Sequence, residues 1–136
     1  MTLPPDLAAL GDEKFVSLTT FRKSGAAVDT TVWIGRDGDT LIVTTPSGSG
    51  KVKRLRHDDR IALRPSSRRG TVDVSVPPVA GVAEVVEGRE ARYRLDSVMG
   101  AKYPLEYGLV MGIERLVRRG APERVMLRIT AADQVA

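Results

Sequence analysis

The chain of 136 residues contains no cysteine. That absence excludes disulfides, thiolate nucleophiles, iron–sulfur clusters and cysteine zinc sites together. Histidine occurs once, at His57, so a Ser/His/Asp triad or a histidine metal site would have to rest on that residue alone. Flanked by Arg56 and by Asp58 and Asp59, it reads as a surface side chain, with haem ligation as the alternative. Aromatic residues make up 4% of the chain. No run of about 18 apolar residues occurs, as a membrane-spanning helix would need. Met1 to Gly11 shows no basic segment followed by an apolar stretch, so the expectation is a soluble, cytoplasmic protein.

What is present is a core-forming sequence with one concentrated charge. At 42% hydrophobic residues the chain is sized for a single domain over residues 1–136, with residues 1–10 as a polar lead and 131–136 as a tail. The formal net charge is +4. Residues 51–69 carry eight cations (Lys51, Lys53, Arg54, Arg56, Arg60, Arg64, Arg68, Arg69) against Asp58 and Asp59, so this segment is +6 and the rest of the chain is acidic. Clustered Lys and Arg are the footprint of a nucleic-acid-binding module. No aromatic residue lies inside the cluster to stack on a base, and no recognised nucleic-acid motif accompanies it, which argues against that reading.

The basic segment begins in an anion-binding arrangement. The apolar run ending at Thr44-Thr45 passes through Pro46-Ser47-Gly48-Ser49-Gly50 into Lys51-Val52-Lys53-Arg54-Leu55-Arg56. Glycines allow close backbone approach, hydroxyls and free helix-start amides donate hydrogen bonds, and the lysines supply charge, a combination suited to a phosphate. A nucleotide-hydrolysing P-loop would need glycine where Thr45 stands and a hydroxyl residue where Val52 stands, which argues against that chemistry. A plain Gly-Ser connector followed by a solvated basic helix is the structural alternative.

Along the chain, Phe15 to Phe21 reads as a strand and Arg22-Lys23-Ser24-Gly25 as a hairpin turn. Ala27 to Gly35 alternates, with Val28, Thr30, Val32 and Ile34 on one face and Asp29, Thr31 and Trp33 on the other. Arg36 to Asp39 is a second turn and Thr40 to Thr45 a third strand. Val52 and Leu55 mark a short helix from about Gly50 to Asp58. Arg60 to Arg64 is a fourth strand, Pro65 to Gly70 a loop, and Thr71 to Glu87 a further strand interrupted at Pro77-Pro78. Gly88 to Arg119 reads as two helices divided by Pro104, with Tyr93, Val98, Leu105, Leu109, Ile113 and Leu116 expected to be buried. Arg124 to Thr130 is the last strand. The order favours a small, mainly β antiparallel barrel with short helices over an open α+β sheet.

The residues 15–25, the segment Val28-Asp29-Thr30-Thr31-Val32-Trp33, and Ser49 to Arg56 followed by Asp58 resemble the pyridoxamine 5′-phosphate oxidase-like split barrels that bind flavins or deazaflavins. The nearest group is the actinobacterial type that uses coenzyme F420. The likeness covers roughly residues 10–130. It implies a six-stranded antiparallel split β-barrel of the FMN-binding type and a homodimer with the cofactor in a groove between subunits. It further implies an oxidoreductase moving a hydride between bound F420 and a small organic acceptor. FMN is the alternative cofactor, and a non-catalytic carrier of a cofactor or tetrapyrrole the alternative role. By the same resemblance Thr45, Ser47, Ser49, Gly50, Lys51 and Arg54 would hold the cofactor phosphate. Thr30, Thr31, Val32 and Trp33 would line its ring, Thr31 standing where many relatives carry proline. Lys102 and Tyr103 would reach it across the dimer. The resemblance carries over no catalytic residue.

Overall fold

The computed structural model describes residues 3–117 and 124–132. Six antiparallel strands close into a barrel in the order β1-β2-β3-β6-β5-β4. They are β1 (Phe15–Phe21), β2 (Ala27–Asp37), β3 (Thr40–Pro46), β4 (Arg60–Ser66), β5 (Val79–Val86) and β6 (Arg124–Ala131), interleaved with helices α1 (Pro5–Leu10), α2 (Gly50–Leu55), α3 (Arg89–Lys102) and α4 (Glu106–Val117). The barrel expected from strand spacing is the fold observed. The two hairpin turns follow from glycine: Gly25 and Gly38 hold φ of 91° and 60°, a region closed to most side chains.

Alternation along the strands sends one face of each inward. Val16 and Leu18, Val32 and Ile34, Leu41 and Val43, Ile61 and Leu63, and Leu127 and Ile129 fill the barrel together with Ala83. Residues 1–10 are more than a polar lead, because Leu7 and Leu10 of α1 belong to this core. Six residues are too few to display a helical period, so the sequence concealed the helix.

A second core lies outside the barrel wall. Ile42 of β3 and Met126 of β6 face Ala91, Leu95, Met99, Tyr103, Tyr107 and Met111 of the helical pair. The buried positions expected there need correction: Tyr93, Leu105, Leu109 and Ile113 are 72%, 82%, 65% and 50% exposed, and Val98 is half-buried. The Leu116 side chain and residues 118–119 lie outside those described. The helices turn their four-residue series 91-95-99-103-107-111 to the sheet, because that series meets Ile42 and Met126. Two further boundaries differ. β4 continues to Ser66, where it pairs with Phe15, and residues 71–78 form no strand beyond an isolated bridge of Val72 to Ser66. β5 begins directly after Pro77-Pro78, neither of which has an N–H for a ladder.

Candidate functional site

The site begins where a strand ladder stops. β2 pairs with β3 over only four residue pairs, from Asp37↔Thr40 to Ile34↔Val43. Beyond that point β2 continues against β1 alone, Trp33 opposite Phe15, and β3 continues against β6, Pro46 opposite Arg124. The two strands part, leaving a split between Thr31-Val32-Trp33 on one lip and Thr44-Thr45-Pro46 on the other. In an antiparallel strand alternate residues aim their N–H and C=O away from the paired neighbour, so the lips offer backbone donors and acceptors to whatever lies between them. A cleft of about 580 Å³ opens here, lined by both lips and by Lys14, Phe15, Lys51, Arg68, Glu106, Leu109, Val110 and Arg124.

Trp33 forms a wall of the cleft with a fixed back. Its indole stacks on Tyr103 with centroids 5.4 Å apart and planes at 17°, and Tyr107 tilts against it at 6.2 Å. The Tyr103 hydroxyl lies 2.7 Å from the Ile34 carbonyl and 2.8 Å from that of Lys14, two acceptors for one proton. Burial pushes this phenol up to about 12. Tyr107 donates to Asp96 Oδ1 at 2.7 Å.

The opposite lip is cationic. α2 starts at Ser49, whose Oγ accepts from Val52 N at 3.4 Å and meets Thr45 Oγ1 at 3.1 Å. That cap aims the first turn so that Lys51 reaches the cleft. Burial, and then the charges of Arg54 and Arg124, hold the Lys51 ammonium below its ordinary pKa. Among the described residues no carboxylate pairs with Lys51. Arg124 NH1 donates to Thr44 Oγ1 at 3.4 Å. Arg124 also borders a second hollow of about 530 Å³ lined by Arg89, Arg92, Tyr93 and Asp96, so the cationic surface runs on past the cleft.

Of the twelve residues expected at a cofactor, the cleft brings together Thr31, Val32, Trp33, Thr45 and Lys51. Thr30 turns the other way, its hydroxyl 3.4 Å from the Leu18 carbonyl. Ser47, Ser49 and Gly50 stand behind Lys51 in the turn and cap. Arg54 is drawn to the barrel, donating from Nε to Thr20 Oγ1 at 2.6 Å. Lys102 is occupied elsewhere: its ammonium donates to the carbonyls of Gly11, Glu13 and Ile34 at 2.8, 2.5 and 2.7 Å. Tyr103 stands behind Trp33, outside the cleft lining.

The +6 segment proves to be no single surface. Arg56 pairs with Glu87, both exposed, and the exposed Arg60 with the half-buried Asp58. Arg64 donates to the Val76 carbonyl at 2.9 Å. Only Lys51 and Arg68 of the eight line the cleft, and His57 is exposed at the end of α2. Arg68 was read only as part of the basic patch, and sequence reading missed Lys14, Phe15, Glu106, Leu109, Val110 and Arg124; Phe15 and Arg124 reach the site by strand pairing and Glu106, Leu109 and Val110 from α4, placements that no local motif announces. Thr44 and Pro46 flank the expected Thr45 and could have been read with it.

A family model described as pyridoxamine 5′-phosphate oxidase matches residues 5–134. No curated protein matches the sequence. Among solved structures, the heme storage protein HutZ of Vibrio cholerae superposes with a TM-score of 0.67 at 13% identity, covering 98% of this chain and 92% of that one. A conserved hypothetical protein of Mycobacterium tuberculosis gives 0.65 at 21% identity, covering 96% and 82%. A structure named F420 reductase gives 0.59 at 18% identity, covering 94% of each. These likenesses concern the fold.

Proposed function

The chain belongs to the pyridoxamine 5′-phosphate oxidase family, and from that premise we propose that its cleft holds coenzyme F420 and that the protein is an oxidoreductase exchanging a hydride with a small organic acceptor. The carrying observation is the parting of β2 from β3, which sets a flat aromatic wall and two strand edges opposite a pair of cations. A ring system with a phosphate at one end needs those elements in that order. Trp33 braces the ring, the lip amides of Thr31 to Trp33 hydrogen-bond its edge, and Lys51 with Arg124 takes the phosphate. When bound, the deazaflavin supplies the hydride; the residues of the cleft bind and orient it and keep the face beside Trp33 dry. F420 is favoured over FMN because the cations continue through Arg124 to Arg89 and Arg92. Arg92 is ion-paired with Asp96 at 3.3 Å, and a cofactor with a single terminal phosphate would leave Arg89 unused.

Two copies complete the groove in this reading. Leu109 and Ile113 of α4, with Leu105 just before it, form an exposed apolar stripe, and Leu109 also lines the cleft, so a second chain packed on the stripe would roof the site. A protein that stores a cofactor without turning it over would use the same cleft, and turnover separates the two.

The test is a titration of the apoprotein with F420, FMN and haemin, following the emission of Trp33, the single tryptophan, with affinities from calorimetry. Saturable micromolar F420 binding, weaker FMN binding and a loss of about tenfold or more in Lys51→Met are expected from one charge-assisted phosphate contact. Binding of neither flavin overturns the reading. Haemin binding with a Soret shift abolished in His57→Ala would replace it with the carrier.

A further inference from the structure

Cations stand on both flanks of the cleft, and the phosphate reading uses only one flank. The barrel order places β1 and β6 on opposite sides of the β2–β3 split. Lys51 and Arg124 occupy the β6 flank. Arg68 lies on the β1 flank, its guanidinium 5.9 Å from the Phe15 ring centroid. Lys14 and Glu106 lie there as well, paired to each other at 2.7 Å. Among the described residues no carboxylate is bonded to Arg68.

The turn that carries Arg68 is built for fixed presentation. Ser67 N donates to the Thr71 carbonyl at 3.0 Å and Gly70 N to the Ser67 carbonyl at 3.0 Å. Ser67 Oγ accepts from Thr71 N at 3.0 Å and Arg69 N at 3.3 Å. Gly70 has φ of +85°, and a Cβ there would lie 2.8 Å from Thr31 Oγ1. The turn is therefore seated on the lip of the cleft, in a conformation only glycine adopts without strain. Arg68 itself is exposed on this turn, with its guanidinium over the Phe15 ring at the cleft wall.

Resting on the cofactor reading above, we propose that the β1 flank is the acceptor subsite and that Arg68 is its specificity-determining residue, taking the acid group of a flat apolar molecule. The apolar body meets Phe15, Leu109 and Val110, and the guanidinium fork meets the carboxylate. Glu106 is hydrogen-bonded to Lys14 and not to Arg68, and although the Arg68 charge also acts on it, the guanidinium fork keeps its donors for the ligand. The hydride acceptor thus belongs to the planar organic acids.

The experiment titrates 2-naphthoate and 2-naphthamide, a pair differing only in the acid group, against the protein with and without F420. The naphthoate is expected to bind about fivefold more tightly, the scale of one partly solvated ion pair. The preference should vanish in Arg68→Gln, shrink in Gly70→Ala, which keeps the charge but displaces the turn, and survive in Lys51→Met. F420 affinity should be unchanged in Arg68→Gln. Equal affinity for the pair, no binding of either at millimolar concentration, or a preference that survives Arg68→Gln overturns the proposal. Failure of F420 to bind overturns the cofactor reading instead, because the naphthoate preference is read without cofactor too.

Discussion

Replacing Lys102 with methionine separates a fold tie from a cofactor contact. In the folded chain the Lys102 ammonium joins three segments, the α1–β1 connection through Gly11 and Glu13 and strand β2 through Ile34. Methionine keeps most of the apolar stem and removes the head, so packing changes little and three carbonyls lose the ammonium, that of Ile34 keeping the Tyr103 hydroxyl nearby. Hydrogen bonds to charged groups are worth about 1.5–3 kcal/mol each. This side chain is partly exposed, and water can replace part of what is lost. Taking about 1 kcal/mol per bond gives about 3 kcal/mol for the three. With an unfolding entropy of about 2.1 cal/mol/K per residue, the chain of 136 residues should lose about 10 °C in Tm. Calorimetry or circular dichroism at one fixed protein concentration measures this, together with F420 affinity well below the new midpoint. A drop in Tm under about 3 °C with affinity lost would refute the reasoning and place Lys102 on the cofactor.

F420 affinity should fall as pH rises, starting below the ordinary lysine value of 10.5, because Lys51 is held lower and its charged form is the one that binds phosphate; Lys51→Arg should move the decline to higher pH, and a flat profile up to pH 10.5 counts against the assignment. Tyr103 acts on stability instead: its folded value near 12 lies above the ordinary 10.0, so above pH 10 the unfolded chain binds fewer protons and stability falls between about pH 10 and 12. Tyr103→Phe should remove that part of the alkaline loss in urea titrations read at several pH values, and an unchanged slope would contradict it. Leu109→Glu, at a position 65% exposed in one chain, should convert a dimer to monomer in sedimentation while leaving the far-ultraviolet circular dichroism intact; an unchanged mass would remove the proposed second copy from this face.

β1 and β2 were legible because they write their burial in their own alternation, whereas β3, covered on both faces, reads as a continuous apolar run. The glycine turns were legible for the same local reason. The cleft was only half legible, since it exists where the β2–β3 ladder ends at Ile34↔Val43, a fact about register between strands that neither strand states alone. The basic segment misled for a related reason: neighbours in sequence diverge once α2 and β4 form, Arg54 turning to Thr20 while Arg60 and Arg64 turn outward on the strand. The helical pair teaches the sharper lesson. Residues 105, 109 and 113 and residues 103, 107 and 111 are both four-spaced apolar series on successive turns, so periodicity identifies two candidate faces and ranks neither. Ile42 and Met126 decide between them, because the sheet offers them to the series containing Tyr103 and Tyr107. That choice also places Tyr103 behind Trp33. The face turned away from the core is then the apolar one left over, and the same aliphatic side chains that made Leu105, Leu109 and Ile113 look buried fit them for a surface that a second chain would cover.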